Sequence, residues 1–150
     1  MKMKLRSLAL ASILCTSFAT VASERTEDLV GATGQCLSYL SMFNEADLKD
    51  KTTRTRDLSE LFKSSFAEAL QQPSIRKTIE SGFFAKSGAD FNKDFYSGFV
   101  LSGIFSETTK KIKDSIPQDE AVKLSYSELK QRWGDLALKA YASENCDLIK

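Results

Sequence analysis

Two short patterns of polar residues in this sequence have spacings that can support chemistry. Asp90, Asn92 and Asp94 have the one-three-five spacing of the oxygen ligands in a calcium-binding loop. Such a loop also needs glycine at its sixth position and an acidic residue at its twelfth, where this chain has Phe95 and Leu101. The pattern therefore favours the cap of a helix that begins near Asp90, and we expect no metal site.

The second pattern is Ser74-Ile75-Arg76-Lys77, which fits the Ser-x-x-Lys motif of penicillin-recognising enzymes. The companion Ser-Asp-Asn and Lys-Thr-Gly elements of those enzymes do not occur in the sequence. The chain also has no histidine, which removes the most common general base and the usual catalytic triad. Carboxylates could still act as an acid and a base, but we expect a protein that binds rather than catalyses and that has no cofactor.

The first 23 residues have the three-part order of a secretory signal peptide. Three basic residues within the first six positions precede an apolar run from Leu8 to about Phe18, and the small residues 19–23 follow. The apolar run is too short to cross a bilayer core of about 30 Å as a helix. We predict cleavage after Ser23, with cleavage after Ala22 as the alternative.

The predicted mature chain, residues 24–150, forms one helical domain of a periplasmic or secreted bacterial protein. The whole chain has 21 Lys and Arg and 20 Asp and Glu, and the leader carries only basic charges, so the mature chain is slightly acidic. A nearly neutral chain has no electrostatic reason to bind nucleic acid. No later apolar run approaches 18 residues, so we also expect no membrane span after cleavage.

Two cysteines, Cys36 and Cys146, remain after cleavage, one near each end of the mature chain. In an oxidising compartment an even number of cysteines indicates a disulfide. For a loop of this length the chain-entropy model gives a stabilisation of about 4 to 5 kcal/mol. Two separate buried thiols are the alternative.

Apolar residues recur at helical spacing along the chain, which contains only two prolines, Pro73 and Pro117. We predict an all-α, single-domain bundle of about five helices, whose first and last helices are linked by the disulfide. The helices are expected at residues 26–43, at 55–71, after Pro73, from about Asp90 to Lys113, and from a cap at Ser125 to shortly before Cys146.

The fourth predicted helix concentrates the aromatic side chains. Because it is apolar over more than half of its circumference between residues 95 and 105, we expect it to be the central helix of the bundle. Gly98 and Ser102 form a small-xxx-small pair, which allows a neighbouring helix to approach closely or leaves space for an apolar ligand. The residues that lie close to one line along this helix are Phe91, Phe95, Phe99, Ser102 and Phe105.

These observations leave two functions open. The first is an exported protein that acts through its surface on another envelope protein, as an accessory, inhibitor or immunity factor. The alternative is a carrier of an apolar ligand or lipid, held in a cavity that the aromatic line of the fourth helix would form. The export signal, the small size and the lack of a catalytic constellation support both.

Overall fold

The computed structural model describes the backbone of residues 9–84, 86, 88 and 90–150. It describes the corresponding side chains from Thr26 onwards, except those of residues 83 and 84. Helices account for the regular structure in this part of the chain. The described residues form one compact all-α unit without strands, as the sequence predicted. A turn, Glu80–Phe84, which is kinked at Gly82 (φ −84°, ψ −108°), follows α4. The helices are α1 (Ala9–Met42), α2 (Glu45–Lys49), α3 (Thr52–Ala69), α4 (Pro73–Ile79), α5 (Lys93–Asp114), α6 (Gln118–Ala121) and α7 (Tyr126–Ser143).

Some of the sequence predictions concern residues that are not described. Residues 1–8 and the side chains of residues 9–25, which carry the signal-peptide pattern, lie outside the described part. The backbone from Ala9 is helical and continues into α1. The sequence also offers Ser87 and Asp90 as the two ends of a capping box, and Phe83 as an inward residue of the short helix after Pro73. Ser87 and the side chain of Phe83 lie outside the described part as well.

The helix ends follow local sequence chemistry. Pro73 begins α4, where its missing N–H would have no partner in any case. The predicted capping box of α7 is confirmed, because the Ser125 N–H donates to Glu128 Oε2 at 2.7 Å and the Glu128 N–H donates to Ser125 Oγ at 3.3 Å. The cap of α5 is Asn92 rather than the predicted Asp90, since the Phe95 N–H donates to Asn92 Oδ1 at 2.9 Å.

The central helix is α1, and it packs against α3, α5 and α7. Residues 36–40 are all buried, so this segment is covered on every side. This corrects the expectation that the fourth helix, α5, would be central, because Phe95 and Phe99 are 58% and 55% exposed. The small polar residues of α1 concealed its position in the sequence. Thr33 is fully buried, and its hydroxyl donates to the carbonyl of Leu29 at 2.7 Å.

Helix α5 approaches α1 closely at Gly34. A Cβ atom on Gly34 would lie 2.8 Å from Ile104 Cδ1 and 3.4 Å from the ring of Phe62, so only glycine fits this contact without a shift of its neighbours. The close approach predicted at Gly98 is not found, since no atom of the described residues lies within 4 Å of a Cβ placed there. Ile104 therefore fixes the side of α5 that faces the core.

The predicted disulfide is present and joins α1 to the segment that follows α7. The Cα atoms of Cys36 and Cys146 are 5.7 Å apart, and the two residues are 1% and 0% exposed. The bridge lies within the hydrophobic core, which also contains Phe43 and Tyr141 in an edge-to-face contact. The chain end is thus covalently attached to the central helix.

A basic residue in the first turn of α3 also holds the chain end. Arg54 Nε donates to the carbonyl of Cys146 at 3.0 Å, and Arg54 Nη2 donates to the carbonyl of Ile149 at 2.8 Å. These carbonyls lie after the last helix, so no later helical turn supplies N–H groups that could donate to them. Residues 44–57 are polar and carry both charge signs, a composition typical of a solvated linker, so this contact is a finding of the structure.

Lys51, Tyr141 and Asp147 form a second polar contact beside the first. Lys51 Nζ lies 2.6 Å from Asp147 Oδ2, and the Tyr141 hydroxyl donates to Asp147 Oδ1 at 2.7 Å. Lys51 and then Tyr141 hold the pKa of the Asp147 carboxyl below its usual range. Burial and the hydrogen bond to Asp147 raise the pKa of Tyr141 to about 12.

The close approach at Gly34 predicts that Gly34→Val lowers the free energy of unfolding by about 1 to 3 kcal/mol, because the added methyl groups overlap Ile104. Urea unfolding of the mature protein measures this. Gly31→Val is the matched control on the same helix, since no atom of the described residues lies within 4 Å of a Cβ at Gly31. Equal losses in the two variants would show that the contact with α5 does not limit position 34.

The disulfide predicts that the double variant Cys36→Ala with Cys146→Ala loses about 2 to 5 kcal/mol of stability, because its unfolded chain is no longer constrained. The same unfolding measurement applies. Thiol titration of the native protein in denaturant without reductant should detect no free thiol at either position. Two reactive thiols would contradict the bridge.

The contacts of Asp147 with Lys51 and Tyr141 predict that its contribution to the free energy of unfolding depends on pH. Because its folded pKa lies below the unfolded value of about 3.9, the carboxylate stabilises the fold above about pH 4 and loses this effect as the pH falls through the folded pKa. We expect Asp147→Asn to lower stability at neutral pH by about 1 kcal/mol or less, since the carboxylate is half exposed, and the difference from the native protein to shrink in acid. Unfolding at neutral pH and below about pH 3 tests this. The same difference in stability at both pH values would contradict this prediction. Asp135→Asn, at an exposed position of α7, is the control.

Candidate functional site

An apolar groove lies between four helices of the bundle. It has a volume of about 620 Å³ and is open along one side. Helices α1, α3, α4 and α5 each contribute part of its wall. The apolar residues that line it are Val30, Phe66, Ala69, Ile75, Ile79, Tyr96, Val100 and Ile104.

Two features of the backbone leave this space open. Gly31 lines the groove and has no side chain to fill it, and no atom of the described residues lies within 4 Å of a Cβ placed there. Helix α4 packs chiefly against the turn Glu80–Phe84 that follows it rather than against the bundle. The groove is therefore the gap between α4 and the three helices that pack closely together.

Polar groups are few along the groove. Glu27, Ser74 and Thr78 are its polar residues, and the Thr78 hydroxyl donates to the carbonyl of Ser74 at 2.9 Å. Ser74 belongs to the Ser-x-x-Lys pattern, but Lys77 of that pattern is exposed and does not line the groove. The wall is consequently suited to hold an apolar group rather than to transfer a proton.

The cavity residues predicted from the sequence are divided between two places. Phe91 and Phe99 do not line the groove, but their ring centroids lie 6.3 Å and 6.0 Å from that of Tyr96, which does. Ser102 and Phe105 instead line a separate surface depression of about 500 Å³. The line of five residues therefore does not enclose one space, and ligand binding by these residues stays a prediction.

A chain of aromatic rings connects the core with this part of α5. Phe62 stacks on Phe66 with centroids 6.1 Å apart, and Phe66 lies 6.1 Å from Tyr96. Tyr96 in turn contacts Phe91 and Phe99. Contacts of this kind favour offset or tilted rings and stiffen the wall that they form.

The opposite side of α5 faces the solvent. We define the outer face of α5 as Phe95, Phe99, Ser102 and Ser106, all of which are exposed. The two phenylalanines stand at its N-terminal half, and the two serines border the depression at its C-terminal half. A single helix thus carries projecting rings and a shallow depression one to three turns apart.

Sequence reasoning missed the residues of α5 that line the groove because they lie one position further along the helix. Successive residues are rotated by about 100°, so Tyr96, Val100 and Ile104 point to a different side from the predicted line. Their own spacing of four was a visible signal. Gly31, a glycine in the middle of a helical pattern, was a second one.

The described residues show neither a metal site nor a membrane span. No group of three or more His, Cys, Asp or Glu there is arranged to hold a metal ion, and Asn92 of the one-three-five pattern serves as a helix cap. Within the same residues, none of the helices has a stretch that is long and apolar enough to cross a membrane. The groove and the outer face of α5 are two candidate binding surfaces among the described residues.

Comparisons of the chain with protein-family models, with curated proteins and with solved structures find no match. No relative therefore contributes a residue role, a ligand or a partner. The function has to be inferred from the groove and from the outer face of α5.

Proposed function

We propose that this chain is an exported binding protein that acts without catalysis and whose groove holds an apolar ligand, such as an acyl chain of a lipid. The observation that carries the proposal is the apolar wall of the groove, to which four helices contribute. Ligand pockets typically have volumes of about 300 to 1,000 Å³ and mostly apolar linings. The volume of about 620 Å³ lies within that range.

The size of the groove favours one chain-like ligand. A water molecule takes up about 30 Å³ in the liquid, and a methylene group is of similar size, so the groove has space for about 20 such groups. Each methylene group that leaves water contributes about 0.8 kcal/mol when fully buried. An open groove covers the ligand incompletely, so we expect exchangeable rather than permanent binding.

Export is the second part of the proposal. The basic, apolar and small-residue segments at the start of the sequence have the order of a signal peptide. A buried disulfide between Cys36 and Cys146 is compatible with an extracellular or periplasmic location, where such bonds persist. An apolar carrier is useful in such a compartment, because acyl chains do not diffuse freely through water.

A direct test uses the mature protein purified from the periplasm and titrated with a fluorescent long-chain fatty acid. We expect Gly31→Phe to weaken binding at least tenfold, because its ring enters the groove where the glycine leaves space. Val122→Phe, at a position 74% exposed and away from the groove, is the control and should bind as the native protein does. Organic extraction followed by mass spectrometry identifies any lipid that copurifies.

Two results would contradict the proposal. The first is a native protein that neither binds the fatty acid nor copurifies with a lipid. The second is a Gly31→Phe variant that binds as tightly as the control. A circular dichroism spectrum of each variant verifies that the bundle is intact.

Action on another envelope protein is the second candidate function. The exposed rings of Phe95 and Phe99 favour it, because aromatic residues are enriched in protein interfaces. This surface lies on the side of α5 away from the groove, so substitutions separate the two functions. Phe95→Ser should abolish binding to such a partner and leave fatty-acid binding unchanged, because Phe95 does not line the groove, whereas Gly31→Phe should have the opposite effects.

A further inference from the structure

Helix α4 is the wall of the groove that is least fixed to the rest of the bundle. The structure describes every residue of this helix and none of them is buried, whereas α1, α3, α5 and α7 all contain buried residues. Its contacts are chiefly with the turn that follows it in the sequence. Ile79 packs against the edge of the hydrophobic core, and Ile75, one turn earlier, lines the groove beside it.

The polar interactions of α4 stabilise the helix itself. Arg76 Nε donates to Glu80 Oε1 at 2.7 Å, and the Thr78 hydroxyl donates to the carbonyl of Ser74 at 2.9 Å. Pro73 fixes the first turn of the helix. These interactions join residues of α4 to each other or to the residue that follows it. The helix can therefore move as one rigid unit without losing them.

Both ends of α4 are joined to the bundle by backbone that is not helical. Gln72, before the helix, is extended with φ −77° and ψ 120°, and the helical geometry after it is interrupted at Gly82. No atom of the described residues lies within 4 Å of a Cβ placed at Gly82, so its backbone has space to turn. Hinges typically consist of a few residues at the ends of elements, as these are.

We propose that α4 is a lid, which rotates about Gln72 and Gly82 and closes on the ligand in the groove. This inference rests on the proposed function, because closure depends on a bound ligand. Over an empty groove, a closed lid would enclose a void and its lining would lack contacts on one side. A bound acyl chain fills that space and packs against Ile75 and Ile79, so it shifts the population towards the closed form.

The lid has a consequence for the release of the ligand. In the closed form Ile75 covers part of the acyl chain, so α4 must reopen before the chain can leave. We expect Ile75→Ser to release the fluorescent fatty acid at least fivefold faster in a stopped-flow measurement. Lys77→Ser, on the exposed side of the same helix, is the matched control and should release it at the native rate.

Distances between spin labels in the mature protein test the closure. Lys77→Cys places one label on α4 and Ser106→Cys places the other on α5, both at exposed positions, while the native cysteines are held in the disulfide. We expect palmitate to narrow the distance distribution and to shift it to shorter distances. The control pair, Lys63→Cys with Ser106→Cys, links α3 to α5 and should give one distribution with and without palmitate.

Hydrogen exchange tests the mobility of α4 in the absence of a ligand. We expect its hydrogen-bonded amides to exchange at least tenfold faster than those around the buried Phe62 of α3. Saturating palmitate should slow the exchange of α4 at least tenfold. Ile75→Ser should lose most of this slowing, whereas Lys77→Ser should keep it.

Failure of the lid and failure of the proposed function give different results. If palmitate displaces the fluorescent fatty acid but changes neither the label distances nor the exchange of α4, the lid alone is overturned. Exchange of α4 as slow as that of α3 in the free protein would also overturn it, as would full slowing in Ile75→Ser. A protein that does not bind palmitate would contradict the proposed function and the lid that rests on it.

Discussion

The contact between Gly34 of α1 and Ile104 of α5 is the constraint on which the arrangement of this protein depends. At the observed distance a Cβ atom at position 34 would overlap Ile104 Cδ1, so a larger residue there requires the Ile104 side chain to move. Ser38, one turn later on α1, also lies against α5, with its hydroxyl 3.5 Å from the carbonyl of Phe105. The rotation of α5 about its own axis is therefore set, and its two remaining sides are assigned to the groove and to the solvent.

The opposite side of α1, at Cys36, is held by different forces. There the chain end is attached to α1 by the disulfide and to α3 by Arg54, whose guanidinium donates to carbonyls beyond the last helix. Helices α1, α3 and α7 thus form a base that is cross-linked and rich in hydrogen bonds. Helix α4 has no comparable attachment to this base among the contacts of the described residues, which is consistent with the gap beside it.

Much of the fold could be predicted from the sequence, because it depends on local signals. The stripe of α3 that contains Leu58, Phe62 and Phe66 is buried, as its spacing indicated, and Pro73 and Ser125 mark helix starts. The disulfide followed from the number of cysteines. The identity of the central helix could not be predicted in this way, because the apolar content of the helices suggested α5 as the central one. Burial of α1 depends on small residues whose hydroxyls are satisfied within the helix, as for Thr33.

The candidate site was less predictable than the fold. Its wall combines residues from four helices, and the gap exists because α4 stands apart and Gly31 has no side chain. The pattern in one sequence indicates which residues share a face of each helix, but it does not indicate how far apart two helices lie. The role of Arg54 was hidden for a related reason, since its acceptors are backbone carbonyls almost a hundred positions away.

The disulfide between Cys36 and Cys146 has a topological consequence for cleavage of the chain by a protease. It closes a covalent ring that contains α2 to α7 and therefore most of the groove. A protease that cuts one peptide bond inside this ring opens it without producing two separate molecules. The nicked chain would still carry all of its helices on one covalent framework, and only a reducing agent would release the fragments.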